Sequence, residues 1–122
     1  MTERSDTGKR GESLACTHLK KKGYRILETN YRTKSGEIDI VARQKDKLVF
    51  VEVRSKKSST FGTPEESLTM KKARHLRASA YRYLFDHPKL SGPWRIDFVA
   101  IEINDQGKPT RIEVFENAVG EC

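Results

Sequence analysis

Two stretches decide how this chain is read: Gly36-Glu37-Ile38-Asp39-Ile40-Val41-Ala42 and, beyond Arg43–Lys47, Leu48-Val49-Phe50-Val51-Glu52-Val53-Arg54. The first alternates, with Ile38, Ile40 and Ala42 on one face and Glu37, Asp39 and Val41 on the other, which is the period of a strand. The second is almost wholly apolar, as a strand covered on both faces is. Few polar residues separate the two, so they read as a hairpin. If Lys45-Asp46 is its two-residue loop, Gln44 faces Lys47, Asp39 faces Glu52 and Glu37 faces Arg54. That register is conditional, because Lys-Asp departs from the Asn-Gly chemistry that tight hairpins favour.

Opposed side chains on antiparallel strands have Cβ atoms roughly 4.5–5.5 Å apart. Two carboxylates near ~4 Å repel by about 4 kcal/mol at an effective dielectric of ~20. Protonation of one, pairing with cations, or a divalent metal between them relieves this. Two carboxylates with water and a substrate phosphate are a usual Mg²⁺ environment, and metal-assisted phosphodiester chemistry follows naturally. The plain alternative is a pair of surface charges matched by Arg43, Arg54 or Lys56 on an open sheet face. Against it stands the apolar run around Glu52, where an unpartnered carboxylate is costly to bury.

Working outward, the spacing of Leu14, Ala15, His18 and Leu19 predicts a helix from about Thr7 to Lys22, ended by Gly23. Lys20, Lys21 and Lys22 suit its C-terminal dipole end. Tyr24–Tyr31 reads as a strand. Ser55 to Thr63 reads as a polar loop. Thr63 as N-cap, Pro64 and Glu66 form a capping-box signature for a second helix running to about Phe85. Its expected buried stripe is Thr69, Ala73, Leu76, Ala80 and Leu84, and its outer face carries Lys71, Lys72, Arg74, Arg77 and Arg82. After Pro88, Gly92 and Pro93, strands are expected at Trp94–Ile103 and Arg111–Glu116. The order α-β-β-β-α-β-β implies an α/β fold, a mixed sheet flanked by two helices in one domain over residues 1–122.

The chain has 122 residues, 34% charged and 35% hydrophobic, with formal charge +7 from 24 Lys+Arg against 17 Asp+Glu. The sequence pI near 9.5 and mean hydropathy of −0.73 point to a polyanionic partner, nucleic acid or an anionic surface. A membrane role is disfavoured: no apolar run approaches the roughly 20 residues of a span. The second helix also opposes its basic face with small residues such as Ala73 and Ala80. The polar start, Met1 to Gly11, shows no secretory pattern, so a cytoplasmic location is expected. Cys16 and Cys122 form neither a disulfide framework nor a zinc motif, and both are expected to be reduced. His18, His75 and His87 lack metal-ligand spacing. There is no G-x-S-x-G or Walker pattern. Trp94, Phe98 and Phe115 suit core packing, Tyr81 or Tyr83 is a candidate for base stacking, and Arg95 with Asp97 reads as a same-face ion pair.

The GEIDIVA and LVFVEVR segments together resemble the PD-(D/E)xK nuclease superfamily, which has a restriction-endonuclease-like fold. More closely, the chain resembles the YraN-like bacterial family related to archaeal Holliday-junction resolvases. Supporting matches are Gly11-Glu12, Ala15, Gly23-Tyr24, Asn30-Tyr31-Arg32, Gly62, Lys71, Ala80-Tyr81, Arg95-Ile96-Asp97 and Asn117-Ala118. The resemblance implies that Asp39 and Glu52 ligate Mg²⁺ or Mn²⁺, with the Val53 carbonyl as a third ligand and Glu12 completing the shell. Glu37 then reads as a supporting or salt-bridge residue. The superfamily pattern places lysine where Arg54 stands. Arginine stays protonated and cannot act as a base, though it can clamp the scissile phosphate. Lys56 and Lys71 are candidate substitutes.

Three functional readings follow. The first is a metal-dependent, structure-selective DNA endonuclease, catalysed by Asp39, Glu52, Arg54 and Glu12. Lys56, Lys57, Lys71, Lys72, Arg74 and Arg77 would grip backbone phosphates. The second is a nucleic-acid-binding module on the same fold that has lost turnover, favoured by Arg54. The third is a protein-docking adaptor whose basicity serves solubility. The resolvase relationship leaves a homodimer open.

Overall fold

The hairpin forms as its sequence directs: β2 (Gly36–Gln44) and β3 (Lys47–Lys57) pair antiparallel in a computed structural model that describes residues 6–120. Met1–Ser5, Glu121 and Cys122 lie outside the described residues. The loop is Lys45-Asp46, and Lys45 takes φ 56°, the left-handed value a primed hairpin turn demands at its first central residue. Gln44 faces Lys47, and the ladder runs from there to Ile40 opposite Val51. Past that pair it gives way to a side chain: Oδ2 of Asp39 accepts the Val53 amide at 2.8 Å.

The expected pairing of Glu37 with Arg54 therefore does not form. Glu37 stands opposite Arg32 of β1 (Arg25–Thr33), with the two charged groups 3.5 Å apart, and Arg54 turns to Glu52. The expected alternation also breaks at Asp39. Ile40 and Ala42 pack beneath α1 (Asp6–Lys21), whereas Ile38 joins Val41 on the opposite face, beneath α2 (Met70–Asp86). The break falls where β1 is irregular. Between the pairs Thr29–Ile40 and Tyr31–Ile38, Asn30 takes φ 56°, and a bulge lies at Ile26/Glu28.

Five strands lie in the order β1-β2-β3-β4-β5, with β4 (Trp94–Ile103) parallel to β3 and β5 (Pro109–Phe115) antiparallel to β4. The parallel pair needs a crossover, which α2 supplies. This is the mixed sheet flanked by two helices expected for a restriction-endonuclease-like fold. Ala15 and Leu19 of α1 cover Val49, Val51, Val99 and Ile101 on one face, and Leu76, Ala80 and Tyr83 of α2 cover Phe50 and Ile96 on the other. α1 ends as expected: Gly23 takes φ 90°, and the Tyr24 amide returns to the Leu19 carbonyl at 3.0 Å. No helix among the described residues is long and apolar enough to cross a membrane.

The ends of α1, β1 and β5 shift by one or two residues, and two boundaries differ in ways that bear on the site. β3 continues through Lys57, so Lys56 and Lys57 sit on a strand rather than in a loop. Thr63 and Pro64 open only a 3-10 turn, Pro64–Ser67, and Thr63 makes no side-chain cap bond. The α-helix starts afresh at Thr69, whose hydroxyl accepts the Lys72 amide at 3.1 Å. Arg111 on β5 clasps Glu65 in that turn, 3.0 Å from Oε1, tying the turn to the sheet instead of to the helix axis. The buried stripe rotates with the new start. Ser79 and Tyr83 are buried with Leu76 and Ala80, while Thr69 is exposed and Leu84 only half-buried.

α1 lies tight against β3 at Gly11. A Cβ there would stand 2.6 Å from Ser55 Cβ and nearer still to its Oγ. The Ser55 hydroxyl meanwhile donates to the Thr7 carbonyl at 3.0 Å. Gly11→Ala is accordingly expected to destabilise the protein by about 1–3 kcal/mol, overpacking outweighing the gain in helix propensity. Urea denaturation measures it, and a variant more stable than the parent would refute the close approach.

Candidate functional site

Asp39 and Glu52 meet where β2 and β3 part, and both are buried, 5% and 3% exposed. The parting exists because the Asp39 carboxylate takes up the Val53 amide in place of a ladder bond. Glu52 faces α2. Its Oε2 lies 3.1 Å from Lys72 Nζ and 3.3 Å from Arg54 Nη2. Burial, and next the neighbouring Asp39 carboxylate, push the Glu52 carboxyl up to about 7, with Lys72 and Arg54 pulling the other way. The repulsion anticipated from the hairpin register is thus real, and the protein meets it with cations and with a raised proton affinity.

From the other face, α1 delivers Glu12, one residue beyond the close approach of Gly11 to Ser55. One carboxylate oxygen each from Glu12, Glu37 and Asp39 lie within 4.8 Å of one another. Glu12 Oε2 and Glu37 Oε1 are shielded from solvent. Three carboxylate oxygens are the hard donor chemistry that an octahedral cation such as Mg²⁺ takes.

The residues proposed from sequence sort as follows. Glu12, Asp39, Glu52 and Arg54 are brought together. Val53 contributes its amide to Asp39. Lys72, read as one of several phosphate contacts on an outer face, is instead half-buried against Glu52. Lys57, Lys71 and Arg74 are exposed. Lys56 donates to the Phe61 carbonyl at 3.2 Å, and Arg77 donates to the Gly120 carbonyl at 3.1 Å. Glu37 was read on the face of Asp39 as a supporting or salt-bridge residue, and it does pair with Arg32; its nearness to Glu12 was missed, because the approach of α1 is a tertiary contact. The Lys72–Glu52 pair was missed because the phase of α2 depends on whether Thr63 or Thr69 caps it.

Arg95 and Asp97 form the expected ion pair, far more buried than a sheet surface would make it. Asp97 is 0% exposed and accepts from Arg95 Nε at 2.8 Å, Tyr24 Oη at 2.8 Å and the Asn117 amide at 2.9 Å.

Known sequences place the chain. The profile of the family described as Uncharacterised protein family UPF0102 matches residues 11–101, which includes Glu12, the hairpin, α2 and most of β4. The chain belongs to the UPF0102 family. Among relatives, a UPF0102 protein of Dehalococcoides mccartyi is 47% identical over 118 residues, covering 97% of this chain and 96% of the relative. One from Thermotoga petrophila is 53% identical over 108 residues, covering 88% and 92%. Another, from Moorella thermoacetica, is 44% identical over 118 residues, covering 97% and 98%. The UPF0102 assignment agrees with the YraN-like resemblance read from GEIDIVA and LVFVEVR.

Proposed function

We propose that this UPF0102 chain is a cytoplasmic, metal-dependent endonuclease that hydrolyses phosphodiester bonds in DNA, at branched or otherwise irregular structures. The observation that carries the reading is the convergence of Glu12, Glu37, Asp39 and Glu52 from α1, β2 and β3, with Lys72 and Arg54 beside them. The donor set is all carboxylate oxygen, which fits Mg²⁺ or Mn²⁺ and not a thiophilic ion. Glu12, Glu37 and Asp39 would hold the ion, with Glu52 beside them. When bound, it would polarise the scissile phosphate and lower the pKa of an attacking water.

The chain's own groups do the rest. Arg54, about half-exposed at 47%, reaches from the buried carboxylates toward solvent and suits a bidentate phosphate clamp. Lys72 supplies from α2 the lysine that the strand lacks at Arg54, and with Arg54 it pulls against the burial that raises the Glu52 carboxyl. Lys71 and Arg74, exposed beside Lys72 in the first turns of α2, and Lys57 at the end of β3 would provide sequence-independent grip.

The test incubates the protein with end-labelled four-way-junction, flap and single-stranded DNA in Mg²⁺, Mn²⁺ or EDTA. Products that appear with metal and vanish in EDTA are expected, and absence of product under every metal would overturn the proposal. In the same assay, Lys72→Ala is expected to slow single-turnover cleavage by about 10–100-fold, the range for groups that orient metal-site carboxylates. Lys71→Ala should cost far less, and equal losses would remove Lys72 from the centre.

Arg54 favours a second reading, binding without turnover, because it cannot accept a proton. That reading expects DNA binding that persists in EDTA, falls steeply with salt and yields no product.

A further inference from the structure

At the far end of the sheet from the carboxylates, a cleft of about 990 Å³ opens where α2, the start of β4 and the segment after β5 meet. It lies on the face that carries Glu52: Leu48, which is paired with Trp94, and Ile96 both pack beneath α2. Its walls combine two kinds of group. Trp94 stands edge-to-face with Tyr81, centroids 5.3 Å apart, and is backed by Phe50 at 5.7 Å. Tyr81 is nevertheless 60% exposed, an aromatic surface that the core does not use. The cations are Lys47 and Arg77, exposed and half-buried; Arg95 also lines the cleft but is engaged by Asp97 and by Glu116, at 3.3 Å. Arg77 spends one nitrogen on the Gly120 carbonyl.

We propose that this cleft binds a stretch of single-stranded nucleic acid, stacking a base against Tyr81 and Trp94 and pairing its phosphates with Arg77 and Lys47. Exposed aromatic rings with interleaved cations are the chemistry of sequence-tolerant strand binding. The placement fits one continuous strand. Glu52 lies four residues along β3 from Leu48, the partner of Trp94, which is about 13 Å at ~3.3 Å per residue. That spans about four stacked nucleotides at ~3.4 Å each. Arg74, Arg77 and Tyr81 follow one another along one flank of α2 from Lys72 to the cleft. The inference rests on the nuclease reading and deepens it: the enzyme would hold an unpaired arm of its substrate here while the carboxylates work on the junction.

The chain's single tryptophan makes the site self-reporting. Oligo-dT about twelve residues long, within the ~4–16 nucleotide range of known single-strand sites, is titrated in EDTA to prevent cleavage. Trp94 emission is followed beside the anisotropy of a labelled strand. A saturable emission change tracking the anisotropy is expected. Tyr81→Ala should weaken binding by about tenfold, as for loss of one stacked base. Arg77→Ala should reduce the slope of log K against log salt by about 0.7, one single-strand phosphate contact. Anisotropy binding with unchanged Trp94 emission overturns the cleft and leaves the nuclease reading standing. Absence of binding by either signal overturns the cleft, and the nuclease reading then stands or falls on the separate cleavage assay with metal. An equal emission change from inorganic phosphate, from dTMP at the same nucleotide concentration, or from a blunt duplex overturns the assignment to a single strand.

Discussion

Glu52→Gln is expected to remove metal-dependent cleavage by a factor on the order of 10² or more while leaving thermal stability unchanged or raised. The two halves have the same cause. Glu52 is 3% exposed, and burial beside Asp39 pushes its carboxyl up to about 7, so its charged form is held at a cost. Glutamine keeps the shape and discards the charge. Lys72 then loses an ionic partner, yet its side chain is 29% exposed and can turn to water. Losing one partner of a buried pair is costly when the other charge stays buried, and here Arg54, 47% exposed, reaches water as Lys72 does. Asp39→Asn should behave alike in activity, since an amide oxygen can still accept the Val53 amide that Oδ2 now holds at 2.8 Å. Junction cleavage beside thermal unfolding of the same preparations decides it. A Glu52→Gln protein that melts well below its parent would make the carboxylate a structural group, and one that still cleaves would end its catalytic assignment.

The same charges explain what was legible beforehand. The hairpin could be read because few polar residues part an alternating strand from an apolar one, its register resting on a Lys45-Asp46 loop that the structure has, and because a carboxylate inside Leu48–Val53 demands an explanation. The register held from Gln44–Lys47 to Ile40–Val51 and failed at the site itself. There Asp39 trades a ladder bond for a side-chain bond, and Asn30 takes a left-handed φ that no alternation pattern encodes. Glu37 was read as a supporting residue beside Asp39, but not as a neighbour of Glu12. Glu12 was visible through resemblance alone, because its approach depends on a tertiary contact, Gly11 on Ser55. Lys72 was seen as a charge on an outer face. Its true direction follows from where α2 begins, and Arg111, distant in sequence, helps set that start by holding Glu65. Local rules thus recover the strands, and they fail where side chains replace backbone pairing to build the candidate site.

The largest stability effect is expected away from that site, at Asp97. Its carboxylate is 0% exposed and takes four hydrogen bonds: Arg95 Nε at 2.8 Å, Arg95 Nη2 at 3.2 Å, Tyr24 Oη at 2.8 Å and the Asn117 amide at 2.9 Å. These join β4 to the end of α1 and to the segment after β5, where Asn117 takes φ 51°. The same bond contributes to the rise of the Tyr24 hydroxyl to about 12, after burial, so the phenol remains a donor throughout the neutral range. Asp97→Ala takes from the Arg95 guanidinium, 11% exposed, its buried carboxylate, leaving it only Gln44 and the exposed Glu116, and leaves the Tyr24 hydroxyl and an amide without their acceptor. Breaking a buried pair from one side costs about 3–5 kcal/mol, and at roughly 3–5 °C per kcal/mol for a chain of this size the melting temperature should fall by about 10–20 °C. Asp97→Asn retains an acceptor and should lose roughly half as much. The double variant Arg95→Met/Asp97→Leu removes both charges together and should be more stable than Asp97→Ala alone. If it is not, the cost lies in packing at that position and not in the orphaned charge.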